Sequence, residues 1–293
     1  MPVLAHDAAP SGANRPARRK VIEYYDRCWD DYRILWRTDE NGSVHFGFFD
    51  TPVPSIWQRL RAFGLTFVGM AAAAVAAVFA LVGRRGSAID WLRIAARGRF
   101  ERHDRAQQRM TEVCAEAVGI RRRDRVLDAG CGIGGTDLWL AATYGARVHG
   151  VNVQPMHLRQ ARRRAADHPA GPRVRFSLQD FTEMAMLDAS VDVVWALESV
   201  CHCIDKSAFV HEAYRVLRQG GRLMVADFFL SHEEIPAHRA SAMQTWLEGW
   251  ALPNLVATAR FGSLLREHGF RDVIYRDIRL HVLPSSQRLR KAS

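Results

Sequence analysis

The stretch "DRVLDAGCGIGG", Asp124 to Gly135, limits what this chain can become more than any other. Val126, Leu127 and Ala129 favour a short buried strand. The glycines at 130, 132, 134 and 135 lack a Cβ, so the backbone after that strand can take positive φ and pass close to a neighbour or a ligand. Such a turn leads from a strand into a helix, and the expected helix is "GTDLWLAATYG", closed by Gly145. The alternation then repeats. "RVHGVNV" reads as a strand, "PMHLRQARRRAADH" as a helix with Pro155 in its first turn, and "VRFSLQD" as a third strand. "VDVVWALES" follows, a helix begins near Lys206, and "GRLMVADFF" comes after the Gly220–Gly221 turn. "DVIYRDI" and "HVLP" are expected to complete the sheet as its last two strands. Strands that alternate with helices imply a mostly parallel sheet covered on both faces, with ligands beyond the carboxyl ends of the strands. Those ends are Asp128 to Gly135, Asn152 to Gln154, Asp180 with Phe181, Glu198 to His202, and Asp227.

The spacing narrows the ligand. A dinucleotide site has G-x-G-x-x-G and an acid on the second strand for the ribose diol, whereas this run is tighter and Asn152 ends that strand. Asp128, just before the glycines, suits a cationic amino-acid moiety better than a pyrophosphate, because like charges in a tight site repel.

These residues resemble the class I S-adenosylmethionine-dependent methyltransferases, whose first motif "VLDAGCGIGG" looks like. "YYD" at Tyr24 to Asp26, "HFGFFD" at His45 to Asp50, "NVQ" at Asn152 to Gln154 and "ESVCH" at Glu198 to His202 resemble the sterol, tocopherol and other isoprenoid C-methyltransferases. The likeness covers roughly residues 24–278, apart from the region around an apolar stretch. It implies an α/β fold: a Rossmann-like, seven-stranded sheet with an N-terminal helical lid and an inserted apolar helical segment. It also implies that Asp128, Gly130, Cys131 and Gly132 hold the methionine end of S-adenosyl-L-methionine, with Asn152, Val153 and Gln154 at the ribose. Asp180 would accept from the adenine amine, Phe181 would cover the base, and Tyr24 and Tyr25 would lie on the lid.

Glu198 ends the fourth strand, where a charged residue is expected to face a ligand, the cofactor included, rather than the dry sheet. If an isoprenoid alkene takes the methyl group, positive charge develops on carbon and a nearby carboxylate stabilises it. His202 or Tyr25 would then remove a proton. "CHC" at Cys201 to Cys203 has no second ligand pair at zinc-finger spacing, and methyl transfer from a sulfonium needs no metal, so none is expected. A diphosphate acceptor would bring magnesium into question. Met243, Trp246 and Trp250 form a near-helical stripe that serves either as core or as the wall of an apolar pocket.

Charge and composition exclude less. The 41 Lys and Arg against 31 Asp and Glu give +10, which favours anionic surroundings without choosing among them. "RRRDR" at Arg121 to Arg125 and "RRR" at Arg162 to Arg164 could meet phosphates, but no stacking platform or nucleic-acid module accompanies them, and no nucleic-acid partner is expected. A small-molecule N-methyltransferase remains the alternative, although a cationic amine acceptor would favour extra buried acids or an aromatic cage. Five scattered cysteines fit a reducing, cytoplasmic setting.

The apolar stretch "FGLTFVGMAAAAVAAVFALVG", Phe63 to Gly83, is long enough to span a bilayer at about 1.5 Å per residue. A single crossing would divide Tyr24 from Asp128 across the membrane, so a re-entrant or interfacial hairpin is expected instead, with a helical pair buried against the domain or a second subunit as the alternative. The domain reading is therefore a basic tail at 1–20, a lid at 21–57, an apolar and amphipathic insertion and membrane anchor at 58–101, and a methyltransferase domain at 102–284. That domain includes a substrate cap at 231–260, and 285–293 forms a second basic tail. The expected partners are a hydrophobic small molecule, the cytoplasmic membrane surface and, in a homo-oligomer, a second copy of the chain.

Overall fold

The computed structural model describes residues 15–50 and 103–292, so the apolar stretch and its expected hairpin lie outside the described residues. What is described divides into two compact units, residues 15–45 with 113–276, and residues 46–50, 103–112 and 277–292. Helices α1 (Arg15–Leu35), α2 (Thr38–Asn41) and α3 (103–118) precede the sheet.

In the first unit the chain then alternates: β1 (Arg125–Ala129), α4 (Gly135–Tyr144), β2 (Arg147–Asn152), α5 (Pro155–Ala166), β3 (Val174–Leu178) and β4 (Val191–Leu197). After these come α6 (Lys206–Val216), β5 (Leu217–Ala226), α7 (Ala237–Gly249) and α8 (Thr258–Glu267). The strand order is β3-β2-β1-β4-β5, and every pairing is parallel. Burial on both faces explains the composition of β4, "VDVVWAL", in which all residues are buried. On one face, Leu127, Val194 and Ala196 pack with Phe209, Ala213 and Val216 of α6 and with Phe261 and Leu264 of α8. On the other, Leu158 and Ala161 of α5 meet Phe176 and Cys131.

The helix ends follow local chemistry. Asp205 caps α6 by accepting from the Ser207 and Ala208 amides at 2.9 and 3.1 Å. Gly145 ends α4 in the left-handed conformation, φ 64°, with its amide on the Ala141 carbonyl.

The sheet departs from expectation at its far edge. Five strands, not seven, are present among the described residues, and β5 is an edge. Residues 273–278 are not a strand, and Ile274 and Tyr275 are 86% and 66% exposed. "HVLP" lies inside helix α9 (Arg279–Ala292), which carries Pro284. Alternating apolar residues mark a chain able to pair, but pairing needs a neighbouring edge, and this segment makes no ladder with β5. The expected Gly220–Gly221 turn is a bulge within β5, because Val191 pairs with Leu217 and Val193 with Arg222.

In the second unit, α9 holds the segment after His45. The Phe49 amide donates to the His281 carbonyl at 3.1 Å, the Gly47 amide donates to Ser285 Oγ at 3.0 Å, and Phe48 stacks on His281 at 4.1 Å.

Candidate active site

Parallel strands bring all their carboxyl ends to one edge, and the glycine turn after β1 is the centre of it. Gly130, Gly132 and Gly134 have φ of 112°, 51° and 83°. The Gly130 and Cys131 amides donate to the Val151 carbonyl at 3.0 and 3.1 Å, which ties the turn to β2. A Cβ on Gly132 would stand 2.9 Å from Val44, and one on Gly134 2.8 Å from Phe176, so the turn is a close-packed cradle that larger residues would fill. Residues 42–44 thus lie directly on the turn.

Beneath the cradle, Asp128 and Asp137 form a buried carboxyl pair, 3% and 0% exposed. Desolvation pushes the Asp128 carboxyl up to about 7, and desolvation with the Asp128 charge raises Asp137 well above the usual range. Two acids so close cannot both ionise cheaply, so the pair retains a proton and welcomes a cation.

The segment after β4 holds Glu198 and His202. Glu198 takes a left-handed backbone, φ 50°, rare for a residue with a Cβ. Its neighbours hold it there: Asp227 Oδ2 accepts from the Ser199 and Cys201 amides at 3.1 and 3.0 Å, and Ser199 Oγ donates to the Ala129 carbonyl at 2.5 Å. Buried Lys206 donates to the Cys201 carbonyl at 3.3 Å, to the Cys203 carbonyl, and to Asn254 Oδ1 at 2.7 Å. "CHC" is therefore part of a clamped loop. Burial lowers His202 to about 4, so its imidazole is neutral at ordinary pH.

A cavity of about 80 Å³ opens between these elements. Of the residues singled out in the sequence, Tyr25, Asp128, Gly130, Cys131, Gly132, Asn152, Val153, Phe181, Glu198 and His202 line it together. Tyr24, Gln154 and Asp180 are not in its lining. Tyr24 is buried, its hydroxyl 3.1 Å from that of Tyr32, and desolvation pushes it up to about 12. Gln154 caps α5 by accepting from the Met156 amide at 3.1 Å, and its Nε2 donates to the Ile22 carbonyl at 3.1 Å and to Asp26 Oδ1 at 2.9 Å. Asp180 Oδ1 accepts from the Thr182 amide and hydroxyl at 2.9 and 2.7 Å. Val21 and Tyr25 of α1 and residues 42–45 form part of the cavity wall.

Sequence reasoning passed over Asp137 and His157. His157 lines the cavity, packs edge-on to Tyr25 at 4.6 Å, and is lowered to about 3 by burial. The signals were an acid in the first turn after the glycines and a histidine three residues past Gln154, each hidden inside an ordinary helix pattern.

A family model described as a methyltransferase domain matches residues 127–225. The chloroplastic tocopherol O-methyltransferase of Arabidopsis thaliana is 30% identical over 196 residues, 62% of this chain and 56% of that protein. O-methyltransferase cnsE of Penicillium expansum is 30% identical over 190 residues, 62% of this chain and 67% of that protein. The match thus spans about half to two thirds of the length of these curated relatives. The solved geranyl diphosphate C-methyltransferase from Streptomyces coelicolor A3(2), in complex with Mg2+, geranyl diphosphate and S-adenosyl-L-homocysteine, has a TM-score of 0.68 and 17% identity, covering 97% of this chain and 89% of that one. At that identity the likeness is one of fold.

Proposed function

The chain belongs to the S-adenosylmethionine-dependent methyltransferases, and on that footing we propose that it methylates a carbon of a hydrophobic, isoprenoid-type acceptor. The observation that carries this reading is Glu198, held in a left-handed backbone at the carboxyl end of β4 and lining a cavity with Tyr25, Phe181, Trp195 and Leu197. A carboxylate among apolar and aromatic walls stabilises a developing carbocation more than it would in water.

Asp128 and the turn from Gly130 to Gly132 hold the amino-acid end of the cofactor, Asn152 and Val153 the ribose, and Phe181 the base. When bound, the cofactor supplies a methyl group already activated by its sulfonium charge. Desolvation raises Tyr25, so its phenol stays protonated and donates a hydrogen bond, while neutral His202 takes the proton. The relative named for tocopherol supports a prenyl-like acceptor. Residues 63–83 bring the enzyme to the cytoplasmic face of a membrane where such an acceptor resides.

A second reading, O-methylation, is favoured by the two neutral imidazoles of His157 and His202 on the cavity wall, which can accept a hydroxyl proton. Incubation with methyl-deuterated cofactor and prenyl-quinol, prenyl-diphosphate and sterol pools separates the two by NMR of the product. Label on carbon supports the first reading and label on oxygen the second; transfer to amines alone would overturn both.

A further inference from the structure

The amino-terminal edge of the sheet, at the other end of the strands from the glycine turn, gathers arginines. Arg125 opens β1 and Arg147 opens β2, and the two are in register. Val148 pairs with Val174, which puts Arg173, one residue earlier, level with Arg147. Strand spacing of about 4.8 Å therefore sets three arginines side by side. Arg123 joins them from the preceding turn, its backbone left-handed at φ 68° where glycine or asparagine is the usual occupant. The four line one cavity of about 550 Å³.

Among the described residues, little balances them. Asp192 pairs with Arg125 at 3.4 Å but also serves Arg218, and Asp124 is engaged by the Arg121 amide and by Arg222. Arg173 donates to the Gly145 carbonyl at 3.5 Å. The guanidinium groups of Arg123 and Arg147 have no hydrogen-bond or ion-pair partner among the described residues. Like charges placed opposite one another in a sheet are unfavourable.

We propose that this arginine row is a binding site for a multiply charged, phosphate-bearing small anion, separate from the methyl-transfer site and independent of the acceptor proposed above. The cavity falls within the ~300–1,000 Å³ of small-molecule sites, and several guanidinium forks match the oxygens of a diphosphate. Among the described residues its lining holds no aromatic side chain to stack a base, which favours a small anion over a nucleic acid.

The test is calorimetry of the full chain with inorganic pyrophosphate at low salt, comparing wild type, Arg123→Ala/Arg147→Ala and the control Arg159→Ala/Arg163→Ala. The control removes the same charge from the exposed face of α5. Affinity is expected to fall at least about tenfold in the first variant and to stay unchanged in the control. S-adenosylmethionine binding, measured on the same samples, should be equal in all three and verifies the fold. Sedimentation with phosphatidylglycerol vesicles tells the source of the phosphate: loss of vesicle binding in the first variant alone indicates a lipid headgroup, and pyrophosphate binding without vesicle binding a soluble ligand. Equal loss in both variants, no pyrophosphate binding, or binding of a single-stranded oligonucleotide that pyrophosphate does not displace overturns the proposal.

Discussion

In the proposed reaction Glu198 acts on the acceptor and the Asp128–Asp137 pair on the cofactor, and each gives a measurable expectation. Glu198→Gln keeps the size and removes the charge, so turnover should fall at least about tenfold while S-adenosylmethionine affinity, read by calorimetry, changes little. An unaltered turnover would remove Glu198 from the reaction. For the acid pair the sign follows from burial. The Asp128 carboxyl, raised to about 7, contributes stability that is complete below its ordinary value near 4 and is lost as pH rises through 7. The melting temperature of the ligand-free protein should therefore drop between pH 5 and pH 8. Asp137→Asn leaves one acid and an amide that can donate to it, so the drop should flatten. Parallel melting curves for the two proteins would show that the pair does not share its proton. Asp128 was legible in the sequence because it ends a strand before glycines. Asp137 was not, because an acid in the first helical turn is ordinary capping chemistry and only packing reveals that no water reaches it.

Among the elements, α1 is hydrogen-bonded to the start of α5 through the Gln154 side chain. Gln154 joins the start of α5 to α1 through the Met156 amide, the Ile22 carbonyl and Asp26. Gln154→Ala should cost about 1–3 kcal/mol, by loss of a cap and of buried hydrogen bonds. Because these bonds tie α1 to α5, the variant should expose residues 15–35 to limited proteolysis sooner, with cofactor partly restoring protection. Identical cleavage rates would mean that α1 is held elsewhere. Helices α4, α5 and α6 and the five strands, apart from the start of β5, were readable from period, glycine and proline signals. The two last segments were misread because "DVIYRDI" and "HVLP" have strand composition, while strand formation is decided by a partner edge that sequence does not display.

At the scale of the whole molecule, the relation to a membrane rests on Phe63 to Gly83, outside the described residues. Among the described residues, no helix is long and apolar enough to cross a membrane. The full chain is expected to float with liposomes and a variant lacking Phe63 to Arg97 is expected to stay behind; equal behaviour of the two in the gradient would end the membrane proposal. What the sequence determined by itself was the βα alternation, the glycine turn and the strand ends that line the cavity, because these depend on residues within a few positions of one another. Tertiary structure alone decided the rest. It drew Gln154 to α1, set His157 against Tyr25, buried Asp137 under Asp128, and aligned Arg125, Arg147 and Arg173 along one edge. Each of these joins residues far apart in the chain, and their proximity is a product of strand register and helix packing, which no local pattern encodes.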